Sequence, residues 1–261
     1  MGLAENPVTF KFANTLMAEE SRTNPDDSQG IELSESELKE LQRLEAKKKA
    51  SQKKVLDSKD NLFGAVLADL DLEGLDLHNA KMAKANLNNT NLSGANLSNA
   101  NFIEADLTEA NLSKADLHDA YFADAHLVAA DLSEADLRWA DFSWAVLSEV
   151  RFNEANLLEA DFTETTLVAA DFTMANVTGA NFDHANLIDV RLKGVDLSQA
   201  LNLTPKQIES AEIDKTTQLP SYLEITWEGP DNFKVQKAIQ KKTKRKKAKK
   251  QISPTLTRYS A

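Results

Sequence analysis

From Leu62 to Leu197 every fifth residue is Leu, Phe, Met or Val for 28 positions in succession: nineteen Leu, seven Phe, Met82 and Val177. Two residues before each stands, as a rule, a small residue, Ala in 20 of the 28 cases, as in Ala95-Asn96-Leu97 and Ala160-Asp161-Phe162. On a helix, residues five apart turn by about 140° per step and wander round the whole surface, so no apolar stripe forms. On a flat strand a beat of five throws successive Leu residues onto opposite faces. What fits is a short extended piece, with the Ala and the Leu two apart on one side, followed by a tight turn. Repeated, this predicts a solenoid.

Residue size reads out the number of repeats per coil. Positions 20 apart put Phe102, Phe122, Phe142, Phe162 and Phe182 in one column, Phe152 and Phe172 in a second, and Leu67, Leu87, Leu107, Leu127, Leu147, Leu167 and Leu187 in a third. Side chains of one shape stack well, so the pattern predicts a square coil of four repeats, and 28 repeats make seven coils. At the usual strand spacing the stack is about 34 Å long.

The repeated A-[D/N]-[L/F]-x-x, as in Ala85-Asn86-Leu87-Asn88-Asn89, resembles the pentapeptide-repeat proteins over residues 60–200. The resemblance implies an all-β solenoid, a right-handed quadrilateral β-helix with Leu, Phe and Ala inside and the other three positions outward. It also implies a bacterial, cyanobacterial-like member. Leu70, Leu75, Thr90, Val150, Thr165, Val190 and Val195 replace the Ala, which predicts local widening of the coil.

Solenoid ends expose unpaired strand edges that must be covered. Ser34-Glu35-Ser36-Glu37 reads as a capping box, predicting a helix over about 35–57 that turns Leu38, Leu41, Leu44, Val55 and Leu56 towards the first coil. Thr204-Pro205-Lys206-Gln207 predicts a short closing helix through Ala211. Residues 1–59 are thus an N-terminal arm and capping helix, 60–200 the rod, 201–230 a capping helix and loop, and 231–261 a basic, disordered tail. In the arm, Val8, Phe10 and Phe12 alternate like a short strand.

The net charge of −11 conceals an asymmetry. Residues 60–200 carry 24 acidic and 7 basic side chains, a net of −17, whereas residues 201–261 carry 6 and 13, a net of +7. The cations concentrate at Lys241, Lys242, Lys244, Arg245, Lys246, Lys247, Lys249 and Lys250. This run predicts polyanion contact, to nucleic acid or an anionic membrane surface, or a strap along the acidic rod. With no cysteine, there is neither a disulfide framework nor a thiolate metal site. No apolar run is long enough for a membrane span and the start lacks a leader pattern, so the expectation is a cytoplasmic protein that is not integral to a membrane.

Chemistry is hard to find in this pattern. His78, His118, His126 and His184 fall at outward positions, with His78 and His118 two coils apart, too far to share a metal. The position before the central Leu or Phe is Asp ten times and Asn ten times. What it shares is a small polar side chain suited to turns, not a carboxylate for acid/base work. No phosphate-binding Gly pattern, nucleophile elbow or zinc signature occurs. The expectation is no enzyme, no catalytic residue, no cofactor, no metal and no small-molecule substrate. Instead, the outward positions hold Trp139, Trp144 and Tyr121, and Val128, Val146, Val168 and Ile188 where most repeats carry Ser, Thr or Asn. Exposed aromatic and apolar groups mark partner surfaces. The reading is a non-enzymatic protein-protein interaction scaffold. The resemblance implies one alternative, a DNA mimic that modulates a type II topoisomerase, and the Lys-rich run implies another, an adaptor tethered to a polyanion.

Overall fold

The computed structural model describes residues 34–230 and 232–238. Its centre is a right-handed quadrilateral β-helix, in which each repeat pairs in parallel with the repeat 20 residues on, as in Asn91↔Asn111 and Tyr121↔Asp141. The square coil expected from the Phe and Leu columns is therefore the one the backbone makes.

The reason lies in where each backbone N–H goes. Taking the repeat centred on Leu92, Leu92 N donates to Asn111 O of the next coil (2.7 Å) and Gly94 N to Ser113 O (2.8 Å). In the reverse direction Asn91 N donates to Leu70 O of the preceding coil (2.9 Å), and the corner closes with Ala95 N to Leu92 O (3.1 Å). The fifth N–H, that of the residue after the central one, is taken by a side chain: Ser93 N donates to Asn91 Oδ1 (3.1 Å). All five donors are satisfied, as a buried-sided coil requires. The side-chain acceptor needs one carboxamide or carboxylate oxygen, which is why Asp and Asn interchange there.

The corner hydrogen bond, with positive φ only at the second central residue, is the type II turn. That residue, two after each Leu or Phe, is left-handed in every repeat from Gly64 to Gly194. Few of these are Gly or Asn; Glu104, Trp139, Trp144 and Met174 are among them. The conformation costs about 1 kcal/mol per non-Gly residue. At Glu104, Trp139 and Trp144 it is offset by the ladder bond of the same N–H and by the buried residue two positions back.

Leu, Phe and Ala fill the interior, nearly all of them fully buried. Phe102, Phe122, Phe142, Phe162 and Phe182 stack face to face at 4.8, 4.8, 5.2 and 5.2 Å. Phe152 and Phe172, on the opposite wall, meet them edge-on at 5.8 to 6.1 Å. The expected widening at the non-Ala positions takes a specific form at two of them. Thr90 and Thr165 are buried and donate their hydroxyls to Leu67 O (2.9 Å) and Phe142 O (2.8 Å).

Both ends of the rod are closed by helices. Helix α1 (Glu35–Asp57) has the complete capping box, with Ser34 accepting from Glu37 N and the Glu37 carboxylate accepting from Ser34 N. Its apolar face departs from expectation: Val55 is buried, but Leu38 and Leu56 are exposed. The helix meets the rod through its C-terminal turns, where Gln52 Nε2 donates to Asp71 O (3.2 Å) and Lys48 pairs with Asp71 (2.6 Å). Helix α2 (Pro205–Ser210) also has a full capping box, between Thr204 and Gln207. After it the chain resumes coil pairing through Arg191↔Glu212 and Asp196↔Gln218.

A hairpin follows that the sequence reading did not contain. Strands β1 (Leu223–Trp227) and β2 (Phe233–Lys237) pair antiparallel, with Leu223 opposite Lys237 and Trp227 opposite Phe233. This corrects two expectations, that residues 201–230 end in a loop and that a disordered tail starts at 231. Leu223 and Val235 are buried, and Val235 N donates to Glu209 Oε1 (3.0 Å), which ties β2 to α2. The alternation of Phe233 and Val235 was legible but was obscured by the flanking lysines. The arm strand at Val8, Phe10 and Phe12 and the cations from Lys241 to Lys250 lie outside the described residues.

Candidate protein-interaction surface

The four walls of the rod are named here by their central residues. The Phe face carries Phe102 to Phe182, the Leu face follows it in the chain, and two further faces complete the square. All seven apolar or aromatic residues singled out from the sequence fall on the Phe and Leu faces and their corners. Trp139 stands at the corner where the chain enters the Phe face, and Trp144 at the corner where it leaves. Tyr121 lies between them on the face itself, paired through its backbone with Asp141. Two residues beyond Trp144, Val146 begins the Leu face, on which Val128, Val168 and Ile188 share one outward column.

Trp139 and Trp144 both have the left-handed corner conformation, φ 60°, and each stands about half exposed at its corner. Trp144 is 54% exposed, Tyr121 46% and Trp139 44%. Val128, Val146 and Val168 are only partly exposed, and Ser148 separates Val128 from Val168 along the column, so the apolar patch on the Leu face is weaker than expected. Its exposed member is Ile188. Tyr121 and Val146 also displace the Asp or Asn that would accept from the backbone two residues on, so each forgoes a hydrogen bond that the ordinary repeat makes.

Some exposed groups were missed by the sequence reading. Phe63 and Val66 are exposed on the first coil, Val66 at 75%, along with Met174, Leu201 and Tyr222. Sorting the corner residues by 20 was the available signal for another feature. It shows Trp139 stacked between Asp119 and Glu159, and Trp144 between Asp124 and Glu164. Trp139 already carries a cation: the Arg138 guanidinium lies 5.2 Å from its ring centre while pairing with both oxygens of Asp136. Among the described residues no cation lies over Trp144.

The titratable groups behave as structural pieces. His78 and His118 each contact the Asp two residues before, Nδ1 to Asp76 Oδ1 at 2.7 Å and to Asp116 Oδ1 at 2.6 Å, taking the place of Ser or Thr at the turn. The His78 bond holds the Asp76 carboxyl below its ordinary value. Among the described residues no three His, Asp or Glu side chains are grouped to hold a metal. Ladder ion pairs join successive coils, Arg151 to Asp131 (2.8 Å) and Arg191 to Asp171 (3.2 Å).

At Asp131, burial works to raise the carboxyl but is outweighed by bonds from Arg151 and Ser133, leaving it below the ordinary 3.8. Asp171 is lowered in the same way, burial being outweighed by Thr173, Asn153 and Arg191. A carboxyl lowered by folding binds protons more weakly in the folded chain than in the unfolded one. Its stabilisation is therefore complete above the unfolded value and is lost as pH falls through the folded one. Urea midpoints should hold between pH 7 and about pH 5 and then drop below about pH 4. Asp131→Asn, which keeps the Oδ1 acceptor, should narrow the gap between the pH 7 and pH 3 midpoints; an unchanged gap would refute the assignment.

Comparison with known proteins agrees with this geometry. Residues 95–172 match the family described as pentapeptide repeat region, and residues 61–99 and 167–201 match pentapeptide repeats (8 copies), together spanning 61–201. Comparison with curated proteins gives no match. Among solved structures, similarity extends to HetL, a pentapeptide repeat protein involved in heterocyst differentiation regulation from the cyanobacterium Nostoc (26% identity, 59% of this chain and 83% of that one, TM-score 0.27). It extends also to a pentapeptide repeat protein of the Arabidopsis thaliana thylakoid lumen (35%, 42% and 66%, TM-score 0.21). A third is QnrB1, a plasmid-mediated fluoroquinolone resistance protein (21%, 60% and 90%, TM-score 0.27). With the two models spanning the whole run of repeats on a four-sided coil, the chain belongs to the pentapeptide-repeat family.

Proposed function

We propose that this protein is a non-enzymatic interaction scaffold whose partner surface is the Phe face and its two corners. The observation that carries the reading is the pair of exposed indoles, Trp139 and Trp144, held outward on either side of one flat wall with Tyr121 between them. Trp and Tyr supply much of the energy at protein interfaces. Burying such rings is worth about 1.5–3 kcal/mol each, and none of them is part of the buried core. The regular backbone supports this use, since its ladder leaves the wall rigid and little ordering is required on binding. The Leu-face residues Val128, Val146, Val168 and Ile188 extend the surface round the Trp144 corner.

The test is recovery of binding proteins from the source cell by the purified chain and by a variant with Trp139, Trp144, Val168 and Ile188 all changed to Ala. A stoichiometric partner retained by the first and lost by the second is expected. Equal recovery by both would remove this surface from the proposal. Because all four sites lie outside the core, the variant's melting temperature should stay within a few degrees of the parent.

A further inference from the structure

The Phe face carries more negative charge than its aromatic groups alone would indicate. Asp119, Asp124, Asp141, Glu159, Asp161 and Glu164 surround Trp139 and Trp144, and none takes part in an ion pair among the described residues. Asp141 and Asp161 spend Oδ1 on the turn, accepting from Ser143 (2.9 and 2.6 Å) and Thr163 (2.9 and 2.6 Å), and no described group holds Oδ2. Between the corners, apart from Tyr121, the side chains one residue beyond each central Phe are short, Ala123, Ser143 and Thr163. The result is an acidic trough with an indole on each bank, and one of those indoles already stacks an arginine. Its chemical complement is a row of Lys and Arg side chains, which take carboxylates and ring faces together.

The chain supplies such a row at 241–250, and its described part ends near this face. Ala238 N donates to Tyr222 O (2.8 Å), and Tyr222 in turn accepts from Leu203 N (3.1 Å) and donates to Ala200 O (3.4 Å). Leu201, between those two, pairs with Asn181 at the C-terminal end of the Phe-face column. The described chain therefore ends at the foot of the trough. Trp144 lies three coils above Thr204, about 15 Å at strand spacing. The 12 residues from Ala238 to Lys250 reach about 40 Å when extended.

We propose that residues 241–250 lie back along the Phe face, a strap that sets its cations on Trp144 and the trough carboxylates and occupies the surface until a partner displaces it. This deepens the interaction reading and rests on it, naming the resident that a partner must compete with. Salt weakens such contacts, so the strap opens as ionic strength rises.

Because the chain has no cysteine, a designed pair reports proximity without background. The full-length double variant Glu164→Cys with Lys246→Cys should form an intramolecular disulfide under mild oxidation at least fivefold faster than Glu154→Cys with Lys246→Cys, whose corner is diagonally opposite. The advantage should vanish in about 1 M salt, and should fall when Trp144→Ala is added. Asp141→Asn, which keeps the turn acceptor, should lower it as well and guards against misfolding of the Trp variant. Equal rates for the two pairs would overturn the strap. So would disulfides formed mainly between molecules, which would assign the trough to a second copy. Neither result touches the pull-down comparison of the Ala variant, so the strap and the partner surface fail separately.

Discussion

Phe142→Ala is expected to lower the free energy of unfolding by about 3–5 kcal/mol, the largest effect of any single surface-neutral change. The ring stacks on Phe122 at 4.8 Å and Phe162 at 5.2 Å and takes the edge of Phe152 at 5.9 Å. Its loss removes three ring contacts and leaves a void. The walls cannot close on that void, because Phe142 N donates to Asp161 O and Tyr121 O receives Phe102 N in a ladder with fixed spacing. In a solenoid each coil touches only its neighbours, so the defect also weakens the coupling between the two halves of the rod. Urea unfolding followed by circular dichroism should show a lower midpoint and a broader transition. A loss below about 1 kcal/mol would mean that the stack contributes little beyond what Ala supplies.

Gln207→Ala is expected to cost about 2–3 kcal/mol, and to act at the C-terminal end. The amide nitrogen of Gln207 donates to Ala185 O (2.9 Å), a carbonyl that a following coil would have served, and to Phe182 O (2.8 Å), which also receives the corner N–H of Ala185. Its oxygen accepts from Thr204 N and Oγ1 (both 2.8 Å), completing the cap of α2. Amide exchange should quicken over residues 203–213, and the freed edge should promote end-to-end association at high concentration. Gln207→Glu separates the two roles, since it keeps the acceptor for Thr204 and removes the donors to the rod. If Glu behaves as Gln, the edge carbonyls are not what the residue serves.

The coil, its four-fold repeat and the inward and outward positions were legible because one column of Phe and one of Leu can be seen only when the chain is folded at 20. The helix caps at Ser34 and Thr204 were legible for a local reason, as each is a complete box within four residues. The left-handed corners were not. Propensity looks for Gly or Asn there, and residues such as Glu154 and Trp139 give no sign of a conformation imposed by bonds to the next coil. The β1–β2 hairpin was obscured because Lys234 and Lys237 occupy outward positions in a region already weighted as a charged tail. At the surface, Trp139 and Trp144 were found as residue types. That they bound one trough, and that the carboxylates above and below them are unpaired by described neighbours, depends on the stacking of corners and became visible only with the backbone.

The side-chain amides that end the ladder have a consequence for how such a chain can change length. Gln52 before the first coil and Gln207 after the last regular repeat stand in for backbone N–H groups at Asp71 O and Ala185 O, while pairing on two other walls runs on to Glu212 and Gln218. Between them the chain is modular in units of 20. Excising one whole unit would shorten the rod by about 4.8 Å and leave every column in line. Excising a single repeat of five would turn everything beyond the cut by a quarter turn, bringing Phe columns over Leu columns and moving Trp144 to another wall. Insertions and deletions in this rod are thus read like a gear with four teeth, and only whole revolutions preserve what it presents.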